Sequence, residues 1–283
     1  MAASPPLRLA RDLRRHGRSL WRFWSTSLAS ELEYPLNAWI ELVAVLGNLA
    51  GSLFVLQLLF AGRPSLGGWS WNGALVVLGL YTLLDGFTTC LLQPNLSRIV
   101  SHVQNGTLDY VLLKPIDSQF WLSTRTVSPW GLPAVLAGIA LIAWALVHPE
   151  PGAAAPAATA AFSGWGALLP LVLLLSAAVI LYSLWFVLAA LSIWFVKVWN
   201  ATEVLRYTLV AGRYPVSAYP PALRLLFTFV LPVAFLTTVP AEALLGRGSV
   251  LWMGASLLVA VLCFAGSRLL WRHAQRFYTS ASS

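Results

Sequence analysis

Charge is what this chain has least of. Only 10% of its 283 residues are Asp, Glu, Lys or Arg, against about 25% in an ordinary soluble domain, so most of its surface is excluded from water. Lysine is nearly missing. Neither Lys114 nor Lys197 stands in the G-x-x-x-x-G-K-[ST] context whose backbone amides and lysine cradle phosphates; that kind of nucleotide site is excluded. The two cysteines, Cys90 and Cys263, both fall inside apolar runs, which excludes a disulfide framework. His16, His102, His148 and His273 are scattered without ligand spacing, so no metal site is expected. The ten acidic residues are dispersed, unlike the clustered ligands of a metal-dependent lipid phosphotransferase. No Ser–His pair lies at matching depth for intramembrane proteolysis. Hence no catalytic residue and no cofactor is assigned. No early apolar run ends in a small-residue cleavage site, so no removable signal peptide is expected.

What the chain has instead is hydrocarbon. Apolar residues make up 58% of it and the mean hydropathy is +0.74. Crossing a bilayer as helix takes about 20 apolar residues, and six such runs can be read, at 38–60, 73–93, 130–148, 168–195, 223–242 and 249–267. They are continuously apolar, whereas barrel strands alternate, so the expected fold is an all-α integral membrane protein with six transmembrane helices. The net charge of +8 does not point to nucleic acid, because of where it sits. Arg8, Arg11, Arg14, Arg15, Arg18 and Arg22 precede the first run, and Arg268, Arg272 and Arg276 follow the last. The loops between alternate in basic content, and the positive-inside rule then puts both termini in the cytoplasm. Six spans require that parity.

Three further segments stand out. Residues 7–24 read as an amphipathic helix on the inner leaflet. Arg8, Arg11, Arg15, Arg18 and Arg22 recur at steps of three and four, with Leu9, Leu13, Leu20 and Trp24 opposite. Residues 149–167 read as a short external linker, leaving one membrane domain over 1–283. Residues 200–242 carry Pro215, Pro232 and Pro240, and two readings stand. One is a single span after a cytoplasmic loop; the other is a short span near 200–215 followed by an outward-facing re-entrant hairpin.

The polar stretch 94–120 is the best clue to function. Leu96, Ile99, Val100 and Val103 follow the i, i+3, i+4, i+7 pattern of one helical stripe; Pro94 and Asn95 suit its start and Asn105-Gly106 its stop. A helix of about ten residues is unstable alone in water. Its stripe therefore packs beneath the protein's own spans or docks a partner, and the pattern does not choose.

The stretch Gly106-Thr107-Leu108-Asp109-Tyr110-Val111-Leu112-Leu113-Lys114-Pro115-Ile116-Asp117 closely resembles a motif of the ABC type-2 exporter permeases, in the branch described as ABC-2 family transporters. Further matches, in order along nearly the full length, are Pro94-Asn95-Leu96-Ser97, Gly212-Arg213-Tyr214-Pro215, Pro232-Val233-Ala234-Phe235, Val239-Pro240-Ala241-Glu242-Ala243-Leu244 and the Ser-rich end after Tyr278. The resemblance implies six-helix subunits that pair, an interfacial N-terminal helix, and a coupling helix after the second span that sits in a groove of a separate ATP-binding subunit. It favours the re-entrant reading of 200–242. It makes Asn95, Leu96, Arg98, Ile99, Val100, Val103, Gly106, Leu108, Asp109 and Lys114 the expected ATPase-coupling residues. Some relatives in this branch are described as exporters of cationic drugs such as viologens.

Few residues within the spans suit a translocation pathway. Asp85 lies in the second run, where a carboxylate at mid-bilayer costs about 2.5–3.5 kcal/mol. It suits a site for a cationic substrate, a helix-pairing contact, or a watered position near the interface. Glu41 reads as interfacial, Glu242 as an exit-gate or rim residue, and Tyr182, with Ser183 and Trp185, as path-lining or packing. The expected function is the permease subunit of an ATP-driven exporter in a bacterial inner membrane. ATP would be bound by a partner subunit, with a second permease copy or paralogue and membrane lipid as the other partners. The alternative is an ATP-independent secondary transporter or channel, which would more usually show paired intramembrane charges or inverted repeats.

Overall fold

The structure, a computed structural model, describes residues 20–29, 31, 35–148, 165–195 and 205–278. Most of the expected interfacial helix and of the 149–167 linker lies outside them. Among the described residues the chain is helical, and the only strand-like pairing is an isolated bridge between Leu66 and Trp69. The helices are α1 (20–29), α2 (Pro35–Phe60), α3 (Trp71–Phe87), α4 (Gln93–Gln104), α5 (Asp109–Leu112), α6 (Ser118–Thr124), α7 (Leu132–Val147), α8 (Trp165–Ala190), α9 (Pro221–Leu225), α10 (Val239–Leu244) and α11 (Val250–Ala274). Five stretches are long and apolar enough to cross a membrane, with α9–α10 contributing a sixth only if that bent pair is counted as one span. The protein is an all-α integral membrane protein.

The tightest seam joins α3 to α7, antiparallel, through glycines seven residues apart on each helix. A Cβ on Gly86 would lie 2.6 Å from the Val135 amide nitrogen and 2.7 Å from the Gly131 carbonyl oxygen; one on Gly138 would lie 2.6 Å from the Gly79 carbonyl oxygen. Between helices in lipid no hydrophobic force operates, so close backbone approach at small residues supplies the packing. By contrast α2 sits at the margin. Only 11% of its apolar stretch is buried, against 61% for α3–α4, so most of its surface is left for lipid or another subunit.

Two expectations need correction. The second span does not end before a separate polar-loop helix: α3, a wide π turn at Thr88–Leu92 and α4 run as one helix of 34 residues, Trp71–Gln104. Pro94 falls within its course because the Cys90 carbonyl, which its missing N–H would have bonded, accepts instead from the Ser128 amide (2.9 Å). Nor is 223–242 a straight span. The chain bends by 77° between Val230 and Ala234, at Pro232. Both limbs return to the same end of the bundle. Before the bend, Ser217 Oγ donates to the Gly67 carbonyl (2.9 Å) and accepts from Trp69 Nε1 (2.8 Å). After it, the Arg247 guanidinium lies 4.1 Å over the Trp69 ring. The bent pair is thus flanked on both sides by contacts at Trp69.

Candidate functional site

The end of the bundle opposite Trp69 is held by a knot of hydrogen bonds. Asn95, on α4, is buried; its amide donates to the Thr126 carbonyl (2.6 Å) and its Oδ1 accepts from the Thr126 amide (2.8 Å). Arg98 Nη1 donates to Thr126 Oγ1 at 3.0 Å. Asp117 caps α6 by accepting from the Phe120 amide (2.9 Å) and takes two hydrogen bonds from Arg268 of α11, one of 2.7 Å. The bond from that guanidinium holds the Asp117 carboxyl below the usual carboxylate range. Trp271 Nε1 and Gln275 Nε2 both donate to Ser118 Oγ, at 3.0 and 2.7 Å. Tyr182 of α8 shares its hydroxyl with Gln119 Nε2 (3.0 Å) and Ser123 Oγ (2.9 Å). α4, α6, α8 and α11 therefore move as one body at this end.

The apolar stripe of α4 belongs to that body. Leu96, Ile99 and Val100 are 1%, 0% and 3% exposed, and Val103 packs partly buried beside them against a core that includes Ile180, Phe186 and Trp271. Leu108 is fully buried as well. Gly106, at φ 66°, ends α4 by turning left-handed, a conformation that suits glycine. Beyond that turn the polarity reverses. Tyr110 is 70% and Leu113 81% exposed, with Leu112, Lys114 and Arg98 exposed near them. The apolar groups facing outward are thus Tyr110, Leu112 and Leu113, not the stripe, while Val111 between them is buried.

Deeper in the bundle, Asp85 stands between two cavities. One, about 210 Å³, is lined by Glu41, Asn48, Tyr81, Asp85 and Arg206 among others. The smaller, about 30 Å³, lies against Tyr81, Asp85, Trp185, Arg206 and Thr237. Neither Glu41 nor Asp85 makes an ion pair among the described residues; Arg206 and Arg213 are the cations near enough to act on Asp85. Arg213 itself sits 5.0 Å over the Tyr81 ring. Trp185 Nε1, Arg213 Nε and Thr237 Oγ1 are buried without a hydrogen-bond partner among the described residues. Buried polar atoms are seldom left so, and a water-filled or ligand-binding space is the ordinary reason.

A family model described as ABC-2 family transporter protein matches residues 46–282. The chain belongs to that family. No curated protein and no solved structure is similar enough to the chain to match. ABC-2 family proteins of this type are multi-pass membrane permease subunits of ABC transporters, not enzymes themselves, and partner an ATP-binding subunit.

Within this ABC-2 permease, the site residues read from sequence separate into groups. Asn95, Leu96, Ile99, Val100 and Leu108 face the protein's own core; Arg98, Gly106, Asp109 and Lys114 lie at or near the surface of the same end. Asp85 lines the cavities, and Glu41, expected at the interface, joins it there. Tyr182 does not, since the knot takes its hydroxyl. Glu242 sits at the Trp69 end, where its carbonyl accepts from the Arg247 amide (3.0 Å). Sequence reading missed Tyr81, Arg206 and Arg213. An arginine beside Gly212 and a second one seven residues earlier were visible signals, but nothing in the sequence paired them with a carboxylate 128 and 121 residues away.

Proposed function

We propose that this chain is the passage-forming subunit of an ATP-driven exporter, with the Asp85 cavity as part of the pathway and the 98–114 surface as the seat of the ATP-binding subunit. One observation carries the reading. The 34-residue helix Trp71–Gln104 bears Asp85 at its middle and leads directly into the exposed turn at its end. At about 1.5 Å per residue, a partner pressing on that turn works on a stiff rod that reaches the cavity without an intervening loop. Arg98, Gly106, Asp109 and Lys114 are the coupling residues in this reading, joined by Tyr110 and Leu113. Asn95, Leu96, Ile99, Val100, Val103 and Leu108 shape the surface from beneath.

Two carboxylates and one arginine line the larger cavity, an acid excess that favours a small cationic or amphiphilic cargo. In this reading the knot end and both termini face the cytoplasm of a bacterial inner membrane, the side that the positive-inside distribution favours. The exposed α2 offers the face for a second permease copy or paralogue, with lipid around the rest. The test is reconstitution of the chain with its ATP-binding subunit and measurement of ATP-dependent efflux of a cationic dye. Leu113→Asp should abolish both co-purification of the ATP-binding subunit and dye efflux while leaving membrane insertion intact. Dye movement by the permease alone would overturn the reading, as would labelling of a Tyr110→Cys variant from the outer side.

A further inference from the structure

Between α1 and the knot lies a third cavity, of about 390 Å³, walled by Arg22, Glu31, Arg98, Lys114, Trp121 and Arg125 among others. Its wall holds four permanent or near-permanent cations and one acid. None of the four cations is in an ion pair among the described residues, and Glu31 already accepts a 2.6 Å hydrogen bond from Trp130 Nε1. Lys114 Nζ lies 4.1 Å and Arg125 Cζ 4.6 Å from the centroid of the same Trp121 ring. Like charges are seldom gathered around a shared space unless a counter-charge fills it. Partial burial, and after it the Arg125 charge, pulls the Lys114 ammonium below its usual value.

The wall is built, not incidental. Trp24 Nε1 donates to the Thr124 carbonyl (3.0 Å), and Ser27 Oγ donates to the Val127 carbonyl (2.8 Å), pinning α1 across 124–127. Trp21 on α1 remains 75% exposed, and a few residues on, α2 begins a continuous exposed apolar face with Trp39, Ile40 and Val43. Polar cavity, aromatic helix and apolar face follow one another as headgroup, interface and acyl region do in a leaflet.

We infer that this cavity binds the phosphate of an anionic phospholipid, held by Arg22, Arg98, Lys114 and Arg125, with the acyl chains along the first part of α2. Such a lipid neutralises the crowded cations and fastens α1 to the end of the bundle that bears the coupling surface. The inference does not depend on ATP coupling or on the cargo.

The test is native mass spectrometry of the full-length chain in detergent, titrated with phosphatidylglycerol, phosphatidylcholine or inorganic phosphate. Phosphatidylglycerol should be retained in preference to phosphatidylcholine. Because each nearby cation is worth about fivefold in affinity for an anionic lipid, the double variant Lys114→Gln/Arg125→Gln should lose about 25-fold. Charge-keeping Lys114→Arg/Arg125→Lys should stay near wild type, and unchanged thermal unfolding of all three proteins would show that folding is not the cause. The control Arg272→Gln/Arg276→Gln removes as much charge outside the cavity and should lose little. Equal retention of the two lipids, an equal loss in the control pair, or displacement of phosphatidylglycerol by an equal concentration of inorganic phosphate would each overturn the assignment.

Discussion

At the knot, Asn95 trades two hydrogen bonds with Thr126, Asp117 takes Arg268, and Tyr182 serves Gln119 and Ser123. Around Asp85, within the bundle, two carboxylates go without ion pairs, and Trp185 Nε1, Arg213 Nε and Thr237 Oγ1 without partners, among the described residues. Both regions are polar, yet one turns its polar groups on itself and the other keeps them open. In a protein interior a satisfied network rigidifies, while an unsatisfied one is retained at a cost in stability and marks a place where something else binds. The knot therefore reads as structure, and the cavity is the region that the proposed function assigns to the pathway.

Substitutions should separate the two. The largest effect is expected at the seam that supports both. Gly86→Leu forces a side chain against the Val135 and Gly131 backbone, so its cost should reach or pass the roughly 3 kcal/mol at the upper end of ordinary overpacking, seen as loss of folded protein in detergent. Next comes Asn95→Ala, which strands the buried amide and carbonyl of Thr126. At about 1–3 kcal/mol for each of the two unsatisfied groups, thermal unfolding should fall by the equivalent of about 2–6 kcal/mol. Asp85→Asn should behave the opposite way. Cationic-dye efflux should drop by about tenfold, a loss of about 1.4 kcal/mol, with thermal stability unchanged or raised, because a poorly paired charge has been removed. If Asp85→Asn destabilised as Asn95→Ala does, the contrast between the regions would fail.

The smallest effect belongs to the ion pair. Asp117 and Arg268 are about a third exposed (37% and 32%), so solvent screening limits Asp117→Asn to about 1 kcal/mol or less. Its pH dependence has a fixed sign. The folded carboxyl sits below the ordinary 3.8, so the contribution is complete above that value and disappears as pH falls through the lower folded value. Acid titration of thermal stability should show wild type and Asp117→Asn converging only below pH 3.8.

The length of the spans and the basic ends were legible in composition because lipid imposes both. The bend at Pro232 was legible as one of two readings, since proline announces a break without saying which way the chain goes on. The Leu96–Val103 stripe was legible as a face, but periodicity tells which side is apolar and not whose surface covers it; Phe186 and Trp271, which do so, lie far along the chain. Gly79, Gly86, Gly131 and Gly138 carried their seven-residue spacing openly, yet their meaning depends on two helices meeting, which no single stretch of sequence encodes. The same holds for Arg206 and Asp85.

The wide turn at Thr88–Leu92 has a consequence for phase. A π turn holds one residue more than an α turn, so everything beyond it is rotated by about 100° relative to an uninterrupted α-helix. That single surplus residue sets the angular offset at which Asp85 looks into the cavity while Leu96 and Ile99 look into the core.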